Sequence, residues 1–93
     1  MIPDRCAWVF VAAGAASPGG VFTSRERAEA WIRSRGLSGE LTAYPLDEGC
    51  LDWATERGLV PGRALARASE PAFVGAFTSS AQDHIHYSAG QPA

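Results

Sequence analysis

Large apolar side chains are scarce in this chain, and this scarcity is the strongest limit on what it can fold into. Leucine, isoleucine, valine and phenylalanine make up 18 of the 93 residues. A share below about 20% combined with a high net charge is typical of disordered chains. The net charge is only −2, so the second condition is not met. We therefore expect a folded chain with one thin core, in a single domain spanning residues 1–93.

Charge and hydropathy disfavour several classes of protein. No apolar run approaches the roughly 18 residues of a membrane-spanning helix, and the N-terminal apolar segment lacks the basic region of a signal peptide. A pI near 5.5 disfavours nucleic-acid binding, because such domains typically have a pI above about 9. Lysine and asparagine, whose codons are adenine-rich, are absent, which indicates a GC-rich bacterial genome. We expect a cytoplasmic protein without nucleic-acid or membrane partners.

The hydrophobic pattern predicts an α+β fold in the order β-α-β-α-β-β, with a small, mostly antiparallel sheet of three to four strands. Its best-defined element is a helix over residues 24–35, packed on one face of the sheet. Thr23 and Glu26 match a capping box at its start, and Gly36 suits its C-terminal end. Pro45 has no N–H group, so the second strand ends there or lies at a sheet edge.

The remaining elements are assigned from turn residues and apolar runs. We expect a loop at 14–20, a short helix over 51–57, a mobile loop at 61–71 and a tail at 89–93. A helical turn at residues 64–68 is the alternative within the mobile loop. Residues 79–82 are predicted to connect the last two strands as a hairpin. The four predicted strands cover residues 6–13, 40–46, 72–78 and 83–88.

Five segments form a pattern in fixed order along the chain: Val21-Phe22-Thr23-Ser24, Ala28-Glu29-Ala30-Trp31-Ile32, the run from Gly39 to Asp47, Asp52-Trp53-Ala54, and Asp83-His84-Ile85-His86-Tyr87 with Gly90. Together they resemble a small bacterial domain family of uncharacterised function. The family pattern has glutamate where this chain has Asp83, and often an aromatic residue where it has Leu51. The resemblance implies a fold and a set of motif positions but no reaction. A looser likeness in size and class links the chain to immunity proteins that accompany toxins.

The His84-Ile85-His86 segment is the most distinctive chemical feature. Residues two apart in a strand point to the same face, so both imidazoles can approach one ligand or metal ion. Zinc needs one or two further ligands, and no third histidine exists. The turn before the second helix offers four candidates for them: Asp47, Glu48, Cys50 and Asp52. Because those ligands are uncertain, we predict two partly exposed histidines, no cofactor and no stoichiometric zinc, with proton transfer or ligand anchoring as an alternative role.

Four further residues are candidates for binding. Asp47 is expected to cap the second helix or to form the turn before it, although paired carboxylates such as Asp47 and Asp52 can also act as acid and base. Trp53 lies beside the apolar stripe of its helix, so we expect it to be half-exposed and to contact a partner. Cys6 and Cys50 match no zinc spacing and are expected to be reduced and packed. The candidate binding residues are His84, His86, Tyr87, Trp53, Asp47 and Asp52.

No nucleophile or phosphate-binding motif is present, so no catalytic residue is assigned. We expect a non-catalytic binding or regulatory module that acts through protein–protein contacts, with an immunity-like partner as one form of it. The alternatives are a small metal- or ligand-dependent enzyme using His84 and His86, and a structural subunit. Uncovered apolar surface on a thin core favours a homodimer. Its predicted contact surfaces are the face bearing Phe73 and Phe77 and an edge strand over residues 42–46.

Overall fold

The structure is a computed structural model that describes residues 2–78 and 82–93. It is an α+β fold built on one five-stranded antiparallel sheet with short helices. The α+β class is therefore confirmed, whereas the number and order of the strands differ from the prediction. The elements are β1 (Cys6–Ala12), β2 (Gly20–Phe22), α1 (Arg25–Arg35), β3 (Gly39–Pro45), α2 (Cys50–Glu56), α3 (Gly62–Leu65), α4 (Pro71–Ala76), β4 (His84–Ser88) and β5 (Gln91–Pro92).

The strand order in the sheet is β2-β1-β3-β4-β5, and every neighbouring pair is antiparallel. α1 packs across one face of this sheet, where it buries Ala28 and Ile32. The core lies between α1 and the sheet, because alternate residues of each strand point towards the helix. The core residues are Trp8, Phe10, Ala28, Ile32, Leu41, Ala43 and Tyr87.

The opposite face of the sheet, which we call the open face, follows from the pairing register. Val9 lies opposite Val21 on one side and Thr42 on the other, and Thr42 lies opposite His84. Cross-strand partners share a face, so these residues form one row across the sheet. A second row contains Val11, Glu40 and His86. No residue of either row is fully buried, and Val21 is 64% exposed.

The N-cap of α1 and the first residue of the helix each lie one residue later in the chain than predicted. Ser24, not Thr23, is the N-cap, and its Oγ accepts a hydrogen bond from the Arg27 backbone N–H at 3.2 Å. Ser24 has the extended backbone that an N-cap requires, with φ −143° and ψ 152°. The C-terminal end agrees with the prediction, because Gly36 adopts the left-handed conformation with φ 63°.

The predicted strand over residues 72–78 is wrong. Residues 71–76 form the helix α4, with Pro71 in its first turn, where proline's missing N–H costs no hydrogen bond. Within the predicted loop at 14–20, Gly20 instead begins β2, which pairs with β1. The strand β3 ends at Pro45, as the first of the two alternatives for that proline predicts. The expected edge strand over residues 42–46 is wrong, because β3 lies between β1 and β4 in the sheet.

The segments predicted as a mobile loop at 61–71 and as a tail at 89–93 each contain an element of regular structure. α3 falls within residues 61–71, and β5 pairs with β4 inside the predicted tail. The predicted hairpin connection at 79–82 lies outside the described residues except for its last position. Among the described residues, no helix is long and apolar enough to cross a membrane.

Candidate functional site

His84 and His86 lie side by side on the open face at the first and third positions of β4. Both side chains are exposed, and their rings are nearly perpendicular with centroids 5.4 Å apart. Gln82 anchors the start of this strand, because its buried side-chain amide donates to the Ala43 carbonyl at 3.1 Å. The Ala43 N–H in turn donates to the Asp83 carbonyl at 2.9 Å. The strand that carries the two imidazoles is therefore held at its start by hydrogen bonds to the central strand, β3.

Glu40 completes a group of three potential metal ligands with these histidines. It lies directly opposite His86 in the pairing of β3 with β4. One ligand atom from each of Glu40, His84 and His86 lies within 4.8 Å of the others. The separation between Oε2 of Glu40 and Nδ1 of His86 is 4.0 Å. Sequence reasoning missed Glu40, because its strand alternation was visible but its pairing with β4 was not.

Two hydrogen bonds orient the side chains of this group. Nδ1 of His84 lies 2.9 Å from the Gln82 carbonyl oxygen. A carbonyl can only accept, so this nitrogen carries the proton and Nε2 of the neutral ring keeps its lone pair. On the neighbouring strand, the Thr42 hydroxyl donates to Oε1 of Glu40 at 3.4 Å. That contact engages one carboxylate oxygen and leaves Oε2 facing His86.

A groove of about 370 Å³ adjoins the group. Glu40 and His86 form part of its wall, and half-buried apolar residues from the end of β1 form another part. The arrangement is a small cleft with one carboxylate and one imidazole at its margin. Its lining residues are Val11, Ala12, Ala13, Ser38, Gly39, Glu40, His86 and Tyr87.

The acidic turn before α2 does not join the histidines in the described part of the chain. The three-residue group around His84 and His86 includes none of the four ligands that the sequence suggested in that turn. Asp47 has a positive φ of 60° and pairs with Arg5 at 2.9 Å on the exposed surface. The N-cap of α2 is Gly49, so Asp47 forms the turn and does not cap the helix. Asp52 is exposed in the first turn of α2.

Trp53 is buried, which contradicts the expected half-exposed contact residue. Only 1% of it is exposed, and Leu51 and Ala54 are buried beside it on α2. The Arg57 guanidinium lies 4.7 Å from the centre of the Trp53 ring. Leu51, Trp53 and Ala54 together form the buried face of this seven-residue helix, so the indole belongs to that face and does not lie beside it. Trp53 is therefore a packing residue.

Tyr87 points away from the histidines and into the core. Its hydroxyl donates to Oε2 of Glu29 at 2.5 Å and so links β4 to α1. Burial and this carboxylate raise the pKa of Tyr87 to about 12. The same hydrogen bond, aided by Arg25, lowers the pKa of Glu29. Tyr87 is thus a structural residue, although its edge also borders the groove.

The two cysteines are free and half-buried. Burial raises the pKa of both Cys6 and Cys50, which keeps them as thiols at neutral pH. This state matches the expectation of reduced, packed cysteines and offers no activated nucleophile.

Together, the fold and the site define a small α+β domain that presents a carboxylate and two histidines on an open antiparallel sheet. The chain belongs to the family described as a domain of unknown function, DUF7710, whose model matches residues 7–93. This match confirms the expected membership of an uncharacterised domain family. No curated protein and no solved structure matches the chain.

Proposed function

We propose that this domain is a non-catalytic protein-binding module whose contact surface is the helical segment at residues 62–77, here called the helical arm. The observation that carries the proposal is that neither helix of the arm, α3 or α4, contains a buried residue. Helices of four and six residues are marginal in water by themselves, because nucleation is unfavourable and few hydrogen bonds follow it. Contact with a partner supplies the missing burial.

The arm carries apolar side chains that are only partly covered within the chain. Leu65 is 43% exposed and Val74 is 36% exposed. The rings of Phe73 and Phe77 contact each other with centroids 5.8 Å apart, and the Arg67 guanidinium lies 4.6 Å from the Phe73 centroid. Aromatic side chains beside an arginine are the residue types that dominate binding energy at protein interfaces.

The binding partner that fits the helical arm is a second copy of this chain. A cleft of about 440 Å³ on the arm is lined mainly by the phenylalanines and by small alanines. A two-fold interface must be self-complementary, and each arm offers both a cleft and exposed aliphatic side chains to fill its partner's cleft. The cleft residues are Arg67, Ala72, Phe73, Ala76, Phe77 and Thr78.

The accessible area and the radius of gyration of the chain also support a second copy as the partner. Its accessible area is 5709 Å², whereas a folded monomer of this mass typically exposes about 5,200 Å². Its radius of gyration is 14.1 Å, compared with about 12.3 Å for a domain of this length. Pairing through the arm would remove apolar area that the thin core leaves uncovered.

Light scattering after size-exclusion chromatography tests the proposal, from low micromolar to several hundred micromolar protein. We expect a mass of twice 9.8 kDa at the upper concentrations. The variants Leu65→Asp and Phe73→Ala/Phe77→Ala should remain folded monomers, because they alter residues that are not buried. Val21→Thr is the matched control, since it removes an exposed apolar side chain from the sheet. A wild-type mass near 9.8 kDa at every concentration would contradict the proposal.

Hydrogen exchange provides a second test that does not depend on the variants. Amides of residues 62–77 should exchange rapidly in dilute monomer and slowly in the dimer, while β1 and β3 stay protected in both. Slow exchange of the arm in the monomer would show that it needs no partner. An immunity-like role would use the same surface for a different protein.

A metal-dependent enzyme is the second candidate function. The juxtaposition of Glu40 with His84 and His86 beside a groove favours it. Its first requirement is that this group binds a metal ion.

A further inference from the structure

We infer that Glu40, His84 and His86 bind one divalent first-row transition-metal ion, of which Zn²⁺ is the appropriate probe. The inference concerns the open face of the sheet and is independent of self-association through the helical arm. It departs from the sequence-based expectation of no stoichiometric zinc, which counted two ligands on this face. The pairing of β3 with β4 adds the third.

The donor set selects the class of ion. Two imidazole nitrogens and one carboxylate oxygen suit zinc and related transition metals, whereas calcium and magnesium prefer oxygen ligands throughout. Three protein ligands with water in a remaining position is the ligand count of an accessible, non-structural zinc site. The exposure of both histidines is compatible with such a site.

The distances allow the three ligands to converge. Zinc bonds to nitrogen and oxygen of about 2.0–2.1 Å place neighbouring ligand atoms of a tetrahedral site about 3.4 Å apart. The three ligand atoms now lie within 4.8 Å of one another, and the Glu40–His86 pair is at 4.0 Å. Closing these gaps takes about 1 Å of movement, which side-chain rotations supply without moving the backbone.

The surrounding hydrogen bonds match those that support metal ligands. A metal-bound histidine usually donates its other ring N–H to a carbonyl or carboxylate, and such a bond leaves the ligating nitrogen with a free lone pair. His84 has this arrangement, since its Nδ1 lies 2.9 Å from the Gln82 carbonyl. Thr42 plays the corresponding part for Glu40 by donating to Oε1.

Isothermal titration of tag-free protein with ZnCl₂ tests the inference, after treatment with a chelator and dialysis. We expect one Zn²⁺ per chain. His84→Ala and His86→Ala should each weaken binding by at least about 100-fold, and Glu40→Gln by about 10- to 100-fold. Thr42→Val should weaken it by about 10-fold, because the carboxylate loses an orienting donor. Asp52→Asn is the matched control, since it neutralises an exposed carboxylate in the first turn of α2 and should leave the affinity unchanged.

Circular dichroism of each variant and a thermal melt with and without zinc complete the experiment. Zinc should raise the melting temperature of the wild type and of Asp52→Asn, but not that of His84→Ala/His86→Ala. Failure of the wild type to bind zinc would overturn the inference, as would binding that persists in the double histidine variant. A stoichiometry of one ion per two chains would also overturn it, because the ion would then bridge copies. None of these results depends on whether the arm mutants dissociate.

Discussion

Replacing Tyr87 with phenylalanine isolates a hydrogen bond that joins β4 to α1 through a charged side chain. The phenylalanine ring fills the same buried volume, so the change removes the hydroxyl without opening a cavity. Glu29 then loses its 2.5 Å contact but keeps its interaction with Arg25 at 3.3 Å. The effect on the free energy of unfolding should therefore report the hydrogen bond itself.

The expected loss of stability at pH 7 is about 1.5 kcal/mol. Hydrogen bonds to charged groups contribute roughly 1.5–3 kcal/mol, and the lower end applies because Arg25 and water can still solvate the carboxylate. For a domain of this length, each kcal/mol lowers the melting temperature by about 4–8 °C, so a fall of about 6–12 °C is expected. Urea unfolding followed by circular dichroism measures the free energy directly.

The pH dependence gives an independent readout of the same contact. The pKa of Tyr87 is raised to about 12 in the folded chain, above its ordinary value of 10.0. Below pH 10 the hydroxyl is protonated in both states, and its contribution to stability is fully present. As the pH rises from 10 to 12 the unfolded state releases this proton first, so the wild type loses up to about 2–3 kcal/mol.

At acid pH the stability is lost in the opposite direction, as the pH falls. The pKa of Glu29 is lowered from its ordinary value of 4.5, so its stabilising contribution is present above that pH. It is lost as the pH falls through the folded-state value and the carboxylate is protonated. In Tyr87→Phe both the alkaline and the acid losses should be smaller than in the wild type.

Tyr44→Phe is the matched control for this experiment. Tyr44 is half-buried on β3, and burial also raises its pKa, so it contributes its own share of the alkaline loss. Its replacement should reduce that share while leaving stability at pH 7 and the acid limb unchanged. The reasoning is refuted if Tyr87→Phe matches the wild type at pH 7 and retains the full loss between pH 10 and 12.

Four further substitutions test the helix cap, the backbone and the packing. Ser24→Ala should cost about 1 kcal/mol through the lost N-cap, whereas Thr23→Ala should cost less than about 0.5 kcal/mol; equal urea midpoints for the two variants would disprove the assignment. Gly39→Ala should cost at least about 2 kcal/mol, because φ is 155° and an added Cβ would collide with the Val11 carbonyl; a melt matching that of wild type would rule out the strain. Trp53→Ala should cost about 3–5 kcal/mol or prevent folding, and a change within about 0.5 kcal/mol would restore the exposed position expected from sequence.

Helix α1 shows which features are local. The helix starts where the Ser24 hydroxyl accepts a hydrogen bond from the backbone N–H three residues later. It ends at Gly36, because glycine tolerates a positive φ. Both signals are contained in a short stretch of sequence, which is why the ends of the helix are predicted to within one residue. The adjacent hydroxyls of Thr23 and Ser24 are the reason for the one-residue error in the cap.

The segment at 71–78 shows where prediction from the local sequence fails. Phe73 and Phe77 favour a strand, but a strand is stable only when another strand is available to pair with it. In the folded sheet β4 pairs with β3 and β5 instead, so within residues 2–78 and 82–93 this segment pairs with no strand. Pro71 then begins a helix, whose backbone hydrogen bonds are local and include one from the Val74 N–H to the Glu70 carbonyl.

The candidate site combines both kinds of information. That His84 and His86 share a face follows from strand alternation alone, because side chains two residues apart point in the same direction. The presence of Glu40 beside them depends on the register that pairs β3 with β4, and a shift of one residue would turn the carboxylate to the other face. The sequence by itself therefore determines the local elements and the histidine pair. Only the tertiary structure decides the third ligand, since cross-strand neighbours distant in sequence meet through packing of the whole sheet.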